Sequence, residues 1–245
     1  MSNVVCIVQA RMGSTRLTGK VMLKLCNYTV LYHVLNRIKQ SRKIDKIIVA
    51  TTQNEKDRVI VDEAVLSGVE YYRGCEDDVL DRYYQAAYNS NATEIVRITS
   101  DCPLIDPNII DHTINMYFKE NKNKKYDYAC NFISRRYPRG LDVEIFSKEA
   151  LSKAHKNAKQ KHEREHVTPY IYKNPELFTL LSIENVLDES KYRWTLDVEE
   201  DYQLLNKIYE YFWKKNIFFG KDEIINYLKN NVDLLDINSK IKHKK

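Results

Sequence analysis

The sequence predicts an α/β protein, a single domain of three layers with helices on both faces of a mixed, mostly parallel sheet. Short β-branched runs recur along the chain, each followed by a polar loop. Between them, apolar residues repeat at helical spacing, and strands that alternate with helices build a sheet covered on both faces. A length of 245 residues holds one such domain, and 43% hydrophobic residues supply its core.

The first strand is Val4–Gln9, and residues 46–51 and 95–99 are the next two of the same kind. Val30, Leu31, Val34, Leu35 and Ile38 share one helical face, as do Val59, Ile60, Ala64 and Val65. The second half changes character. Residues 127–132, 141–146, 178–183 and 193–196 read as strands outside the βαβ rhythm, and residues 198–215 and 221–230 read as helices. The domain is therefore expected over residues 1–235. Its parts are a first half to about 125, an inserted subregion over about 126–195, and C-terminal helices over about 196–235. Residues 236–245 form a basic tail expected to fray.

Composition excludes several classes. No apolar run reaches membrane-spanning length, and the start of the chain lacks the basic region of a signal peptide. Cys6, Cys26, Cys75, Cys102 and Cys130 are scattered, odd in number and form no Cys-x-x-Cys pair, a usage that suits the reducing cytoplasm. Cys102 reads as packing rather than as a nucleophile. The net charge of +5 is diffuse; it favours small anions slightly and does not call for nucleic acid.

The loop after the first strand runs from Gln9 to Lys20. Gly13 and Gly19 let backbone approach a bulky anion, Ser14 and Thr15 add hydroxyl donors, and Arg11, Arg16 and Lys20 supply three cations. A triphosphate suits this set. The loop is not a Walker A motif, because five residues separate its glycines and Val21 follows Lys20. A solvated basic loop is the plain alternative.

The pattern Ala10-Arg11-x-x-Ser14-x-Arg16-Leu17-x-Gly19-Lys20 resembles the signature of the acylneuraminate and Kdo cytidylyltransferases, and among them the SpsF-type branch. Thr18 stands where that family usually has proline. The resemblance extends over roughly residues 3–215 and implies a nucleotide-diphospho-sugar transferase-like fold. It also implies CTP and a small-molecule acceptor as substrates, Mg²⁺ as cofactor, and a homodimer. The implied reaction transfers CMP to an acidic sugar or phosphorylated small molecule in surface-polysaccharide synthesis. Ala10, Arg11, Gly13, Ser14, Arg16, Lys20, Arg97 and Ser100 become the expected nucleotide-binding residues, with Arg11, Arg16 and Lys20 stabilising charge on the leaving group.

Asp101 ends the strand before Cys102-Pro103, where an aspartate can hold Mg²⁺, a hard cation needing only one or two protein carboxylates beside phosphates. The resemblance gives it that role through the family's (Gly/Ser)-Asp-x-Pro motif; a turn aspartate is the alternative. Asp106, before Pro107, reads as a helix N-cap. Asp197 is the second expected metal ligand, from the resemblance to a strand ending Thr-x-Asp. With Glu200 three residues on, it also reads as a capping box.

Gly140-Leu141-Asp142-Val143-Glu144 resembles the family's acceptor segment, so Arg139, Asp142 and Glu144 are expected at the acceptor. His162-Glu163-Arg164-Glu165-His166 spells the zincin pattern His-Glu-x-x-His, but Pro169 follows closely and no third ligand is evident. The segment instead resembles the family's Arg-Glu-His-Val-Thr-Pro stretch, which places Arg164, Glu165 and His166 at the acceptor. Arg97, among β-branched neighbours, either faces the nucleotide or pairs with an internal acid. Tyr71, Tyr72, Tyr83 and Tyr84 read as packing. A glycosyltransferase acting on a preformed nucleotide sugar is the alternative enzyme; it calls for Asp-x-Asp, where this chain has Ser100-Asp101-Cys102. A non-catalytic binding module would tolerate loss of the loop cations or of Asp101, and all are present.

Overall fold

Val4, Cys6 and Val8 alternate with Val5 and Ile7 along the first strand, and all five are buried. The two sets enter two separate cores, which is the period-2 consequence of a strand covered on both faces. The computed structural model describes residues 2–215 and 218–241. In chain order it contains β1 (Val4–Gln9), the hairpin β2 (Lys24–Leu25) and β3 (Tyr28–Thr29), α1 (Val30–Ile38), β4 (Lys46–Thr52) and α2 (Arg58–Leu66). There follow β5 (Glu70–Gly74), α3 (Val79–Asn89), β6 (Glu94–Thr99), α4 (Pro107–Glu120), β7 (Tyr128–Cys130) and β8 (Glu144–Ser147). The rest comprises α5 (Lys148–Asn157), α6 (Lys161–His166), α7 (Pro169–Tyr172), β9 (Leu180–Ser182), α8 (Glu199–Trp213), α9 (Lys221–Lys229) and α10 (Asp233–Asp236).

The main sheet has the order β5-β4-β1-β6-β8-β7-β9. It is parallel from β5 to β6, antiparallel on both sides of β8, and parallel again between β7 and β9. Buried residues of α1, α2, α4, α8 and α9 pack on one face, and those of α3, α5 and α7 on the other. The expected three-layer architecture is thus observed. β1 lies between β4 and β6, with Gln9 in register with both Ala50 and Thr99. The loops leaving β1 and β6 therefore start side by side at the carboxyl edge, where open α/β sheets bind ligands. Among the described residues no helix is long and apolar enough to cross a membrane.

Several expectations are corrected. Val59 and Val65 are 42% and 58% exposed, because the inward stripe of α2 is Ile60, Val61 and Ala64. Tyr71 is 48% exposed and does not pack, whereas Tyr83 is fully buried and donates its hydroxyl to the Ile7 carbonyl at 2.9 Å. Residues 141–143 are not strand. Asn131 replaces their ladder, its Nδ2 donating to the Leu141 carbonyl at 2.7 Å and its Oδ1 accepting from the Val143 amide at 2.9 Å. Residues 193–196 reduce to a single bridge between Arg139 and Arg193. Gly140 explains the bend there. Its φ is +100°, and a Cβ would stand 2.6 Å from the Trp194 carbonyl carbon, a place only glycine fills. Of the tail, Asn238 is buried, its Nδ2 donating to the Arg193 carbonyl at 3.0 Å and to Asp201 Oδ1 at 2.9 Å. Residues 242–245, the rest of the expected tail, lie outside the described residues.

Candidate active site

The loop leaving β1 is fastened before it reaches any ligand. Asp57, fully buried, accepts from the Met12 amide at 2.7 Å and from the Thr52 hydroxyl. The Met12 carbonyl then accepts from the amides of Ser14 at 2.9 Å and Gly19 at 3.1 Å, which closes the loop on itself. Gly19 takes the left-handed conformation, φ +66°, and starts the short 3₁₀ turn that carries Lys20.

Lys20 is the centre of the site. Its ammonium donates to Asp101 Oδ2 at 2.7 Å, Asp197 Oδ1 at 2.8 Å and the Leu196 carbonyl at 2.7 Å. Three acceptors match its three protons. The Leu196 amide in turn donates to the Asp101 carbonyl at 2.8 Å, so the two carboxylate-bearing turns are tied to each other by backbone as well. Arg16 Nη2 reaches Asp197 Oδ1 at 2.9 Å, and Arg193 Nη2 reaches Asp197 Oδ2 at 3.1 Å. Burial pulls the Lys20 ammonium down, but Asp101 and Asp197 outweigh it and hold the group above its ordinary value. Burial pushes both carboxyls up, and Lys20 outweighs that, leaving Asp101 and Asp197 below the usual carboxylate range.

The capping role expected of Asp197 and Glu200 belongs to Asp201. Its Oδ2 accepts from the amides of Asp197 at 2.9 Å and Val198 at 3.2 Å, closing the first turn of α8. Asp201 is buried and paired with Arg193 at 2.8 Å, while Glu200 is exposed. Asp197 is thereby free to face the cleft.

Around these groups lies a cleft of about 590 Å³. All of the expected nucleotide-binding residues line it: Ala10, Arg11, Gly13 and Ser14, together with Arg16, Lys20, Arg97 and Ser100. Arg11 spans its mouth to Glu76 at 3.6 Å and Glu165 at 3.5 Å. Of the expected acceptor residues only Glu165 and His166 line it. Arg164 turns away, its Nε bonding Asp78 at 3.0 Å and its Nη1 the His155 carbonyl at 2.8 Å. Asp142 is held by both Nη atoms of Arg135, at 2.6 and 2.9 Å. Arg139 is outside the cleft lining, with its amide on the Tyr192 carbonyl at 3.0 Å. Glu144 is 2% exposed; it is bonded by Arg97 Nη1 and by the Tyr128 hydroxyl at 2.7 Å. Arg97 therefore satisfies both sequence readings, since it pairs with an internal acid and still lines the cleft. Glu144 acts through Arg97 and does not face the cleft.

Sequence reasoning missed Asp57, Arg82 and the Leu196 carbonyl. An Asp three residues after Asn54 gives only a turn signal, Arg82 sits inside an ordinary amphipathic helix, and a backbone carbonyl has no signal at all. In the zincin-like stretch His162 is exposed. Among the described residues no group of three or more His, Cys, Asp or Glu is placed to hold a metal. The pair Asp101 and Asp197 does fit Mg²⁺, which takes one or two protein carboxylates and fills the remaining positions with phosphate oxygens and water.

The profile of the cytidylyltransferase family matches residues 5–234. The chain belongs to the cytidylyltransferase family. It is 40% identical over 243 residues to an uncharacterized protein of Methanocaldococcus jannaschii, covering 98% of this chain and 96% of that one. With the spore coat polysaccharide biosynthesis protein SpsF of Bacillus subtilis it shares 31% identity over 217 residues, 86% of this chain and 88% of SpsF. The structure of a cytidylyltransferase from Leptospira borgpetersenii superposes with a TM-score of 0.91 at 35% identity, over 99% of this chain and all of that one. This cytidylyltransferase is accordingly a nucleotidyltransferase, and its cationic loop and carboxylate pair share one cleft.

Proposed function

We propose that this cytidylyltransferase transfers CMP from CTP to an acidic sugar or phosphorylated small-molecule acceptor, releasing pyrophosphate, in the synthesis of a surface polysaccharide. The observation that carries the reading is the contact of Lys20 with both Asp101 and Asp197 inside one cleft. Cations for a polyphosphate and carboxylates for its metal occupy the same few ångströms. The family and the name of SpsF support the nucleotide and the setting. The chain's cysteines are free, which suits the cytoplasm, and a homodimer is proposed from the family resemblance alone.

In this reading the acceptor oxygen forms a bond to the α-phosphorus as the bond from that phosphorus to pyrophosphate breaks, and the electron pair leaves with pyrophosphate. Asp101 and Asp197 would hold Mg²⁺, which when bound would supply Lewis-acid charge at the phosphate oxygens. Lys20 and Arg16 place fixed positive charge beside those carboxylates and oppose the charge growing on the leaving group. Arg97, braced by Glu144 and Gln9, holds its guanidinium rigidly in the cleft wall. The Asp57-fastened loop fixes Arg11 to Ser14 before nucleotide arrives, so little ordering is left for binding to supply.

The test is a pyrophosphate-release assay with CTP, UTP, ATP and GTP in Mg²⁺, against a panel of sugar acids and sugar phosphates. CTP-specific release with one acceptor class is expected. Release with another nucleotide and none with CTP would discard the cytidylyl assignment.

A further inference from the structure

The joint between α6 and α7 holds two residues in conformations that their types disfavour. Val167 has φ +73° and ψ −58°, and across it the Thr168 amide donates to the His166 carbonyl at 2.9 Å. That is the γ-turn of positive φ, the rare and strained form. Thr168 follows with φ −100° and ψ −8°, a conformation disfavoured by the proline after it, Pro169. Among the described residues Cys26, Asn91 and Val167 are the non-glycine positions with positive φ. Cys26 lies in the β2–β3 hairpin and Asn91 just beyond α3, both at turns. Val167 alone of the three is β-branched, the kind of residue for which positive φ is a true outlier.

The neighbours on either side show how the chain sustains it. Val167 is fully buried in the core that also holds Ile171 and Phe178, and its amide donates to the Glu163 carbonyl at 3.1 Å. Thr168 is buried too, and its carbonyl starts α7 by accepting from the amides of Ile171 at 2.9 Å and Tyr172 at 3.1 Å. Arg164 is fixed on the other side to Asp78 at the start of α3. Glu165 and His166 stand between these two anchors, and both line the cleft, with Glu165 3.5 Å from Arg11. A glycine at 167 would hold this turn or an ordinary one with equal ease, whereas a buried valine holds only one.

Backbone strain beside a cleft points from structure to function. Resting on the transferase reading above, we infer that Val167 is a positioning residue, whose buried side chain locks a strained γ-turn that keeps Glu165 and His166 in the cleft wall. Val167 is itself outside the cleft lining, so it acts through those two neighbours.

Three measurements on the full chain test this. In wild type, the one-bond Cα–Hα coupling of Val167, measured by NMR, is expected to report a positive φ. A coupling typical of negative φ overturns the proposal without any variant. Urea midpoints of Val167→Gly and Val167→Ala come second. At an ordinary buried position glycine is the less stable of the two; here the order is expected to invert, because glycine takes this φ without strain. A midpoint for Val167→Gly below that of Val167→Ala overturns the strain. Turnover in the pyrophosphate-release assay comes third, at a temperature where every variant is folded. Val167→Gly is expected to lose about 10- to 100-fold, the cost of misplaced groups, and its His166 ring resonances no longer respond to CTP–Mg²⁺. Val167→Thr keeps the branched shape but buries a hydroxyl, so it should be less stable than wild type and yet retain both turnover and response. Equal losses of turnover in the two variants, or wild-type turnover in Val167→Gly, overturn the positioning role and leave the transferase reading in place. Wild-type protein that turns over no nucleotide overturns the transferase reading, while the coupling and the order of the urea midpoints still decide the turn.

Discussion

Asp101 and Lys20 are 81 positions apart in the chain, and their side chains meet at 2.7 Å in the cleft. Each comes from the carboxyl edge of a parallel strand, β6 and β1, held adjacent by the Gln9–Thr99 register. With Asp197 they form a triad in which one ammonium satisfies two acids, and its side chains are only 13%, 24% and 18% exposed. Such a group is costly to disturb.

Lys20→Met removes that ammonium while keeping a straight stem. Turnover with CTP is expected to fall about 10²- to 10³-fold, the effect of losing one preorganised donor to developing charge. Asp101 and Asp197 are left facing each other without their shared cation, and unfolding in urea at pH 7 should show a loss of about 1–3 kcal/mol. A turnover within twofold of wild type would exclude Lys20 from the chemistry.

The same triad sets a pH dependence. Asp101 and Asp197 titrate below their ordinary values in the folded chain, so their contribution is complete above the unfolded value near 3.9 and is lost as pH falls through the lowered ones. Lys20 titrates above its ordinary value, so its contribution is complete below about pH 10.4 and is lost as pH rises through the raised one. Urea midpoints plotted against pH should therefore fall off less steeply on the acid side in Asp101→Asn than in wild type. Superimposable acid limbs would show that Asp101 does not feel Lys20.

Glu144 offers a contrast between support and contact. Replacing it with Ala strands the Arg97 guanidinium and the Tyr128 hydroxyl in a buried place, a change that typically costs about 3–5 kcal/mol. Denaturant unfolding reads that loss directly. At a temperature where the variant remains folded, its KM for acceptor should stay near wild type, since Glu144 does not face the cleft; a selective rise in acceptor KM would restore it to the acceptor site.

Glu200 and Asp201 are neighbours with opposite fates. Asp201→Ala removes the cap of α8 and the partner of Arg193 and Asn238, and should cost about 3–5 kcal/mol. Glu200→Ala is an exposed change expected within about 0.5 kcal/mol of wild type. Equal effects in thermal melting would contradict the assignment of the cap.

The sequence carried the first half of this molecule well and the second half poorly, for a physical reason. In the first half the strands are continuous β-branched runs buried on both faces, and the loop after β1 gathers its functional groups within a dozen residues, so local pattern suffices. In the second half, order comes from long-range side-chain bonds. Asn131 takes the place of ladder bonds at Leu141 and Val143. Arg135 occupies Asp142, and Asp78 draws Arg164 off to α3. No periodicity announces such pairings. The expected cap at Asp197 failed for a related reason, since Glu200 and Asp201 offer the same chemistry one residue apart, and only the buried Arg193 and Asn238 select between them.

The most direct test is thermal melting of wild type and Asp101→Asn with CTP, with and without Mg²⁺. Wild-type protein at a hundredfold excess of CTP–Mg²⁺ over Kd should gain about 2.7 kcal/mol, and much less with CTP alone. Asp101→Asn should melt below wild type without ligand, having lost its ion pair with Lys20, and should in addition lose the Mg²⁺-dependent part of the gain. If CTP stabilises both proteins equally whether or not Mg²⁺ is present, the loop cations and the carboxylate pair do not serve one metal-bound polyphosphate.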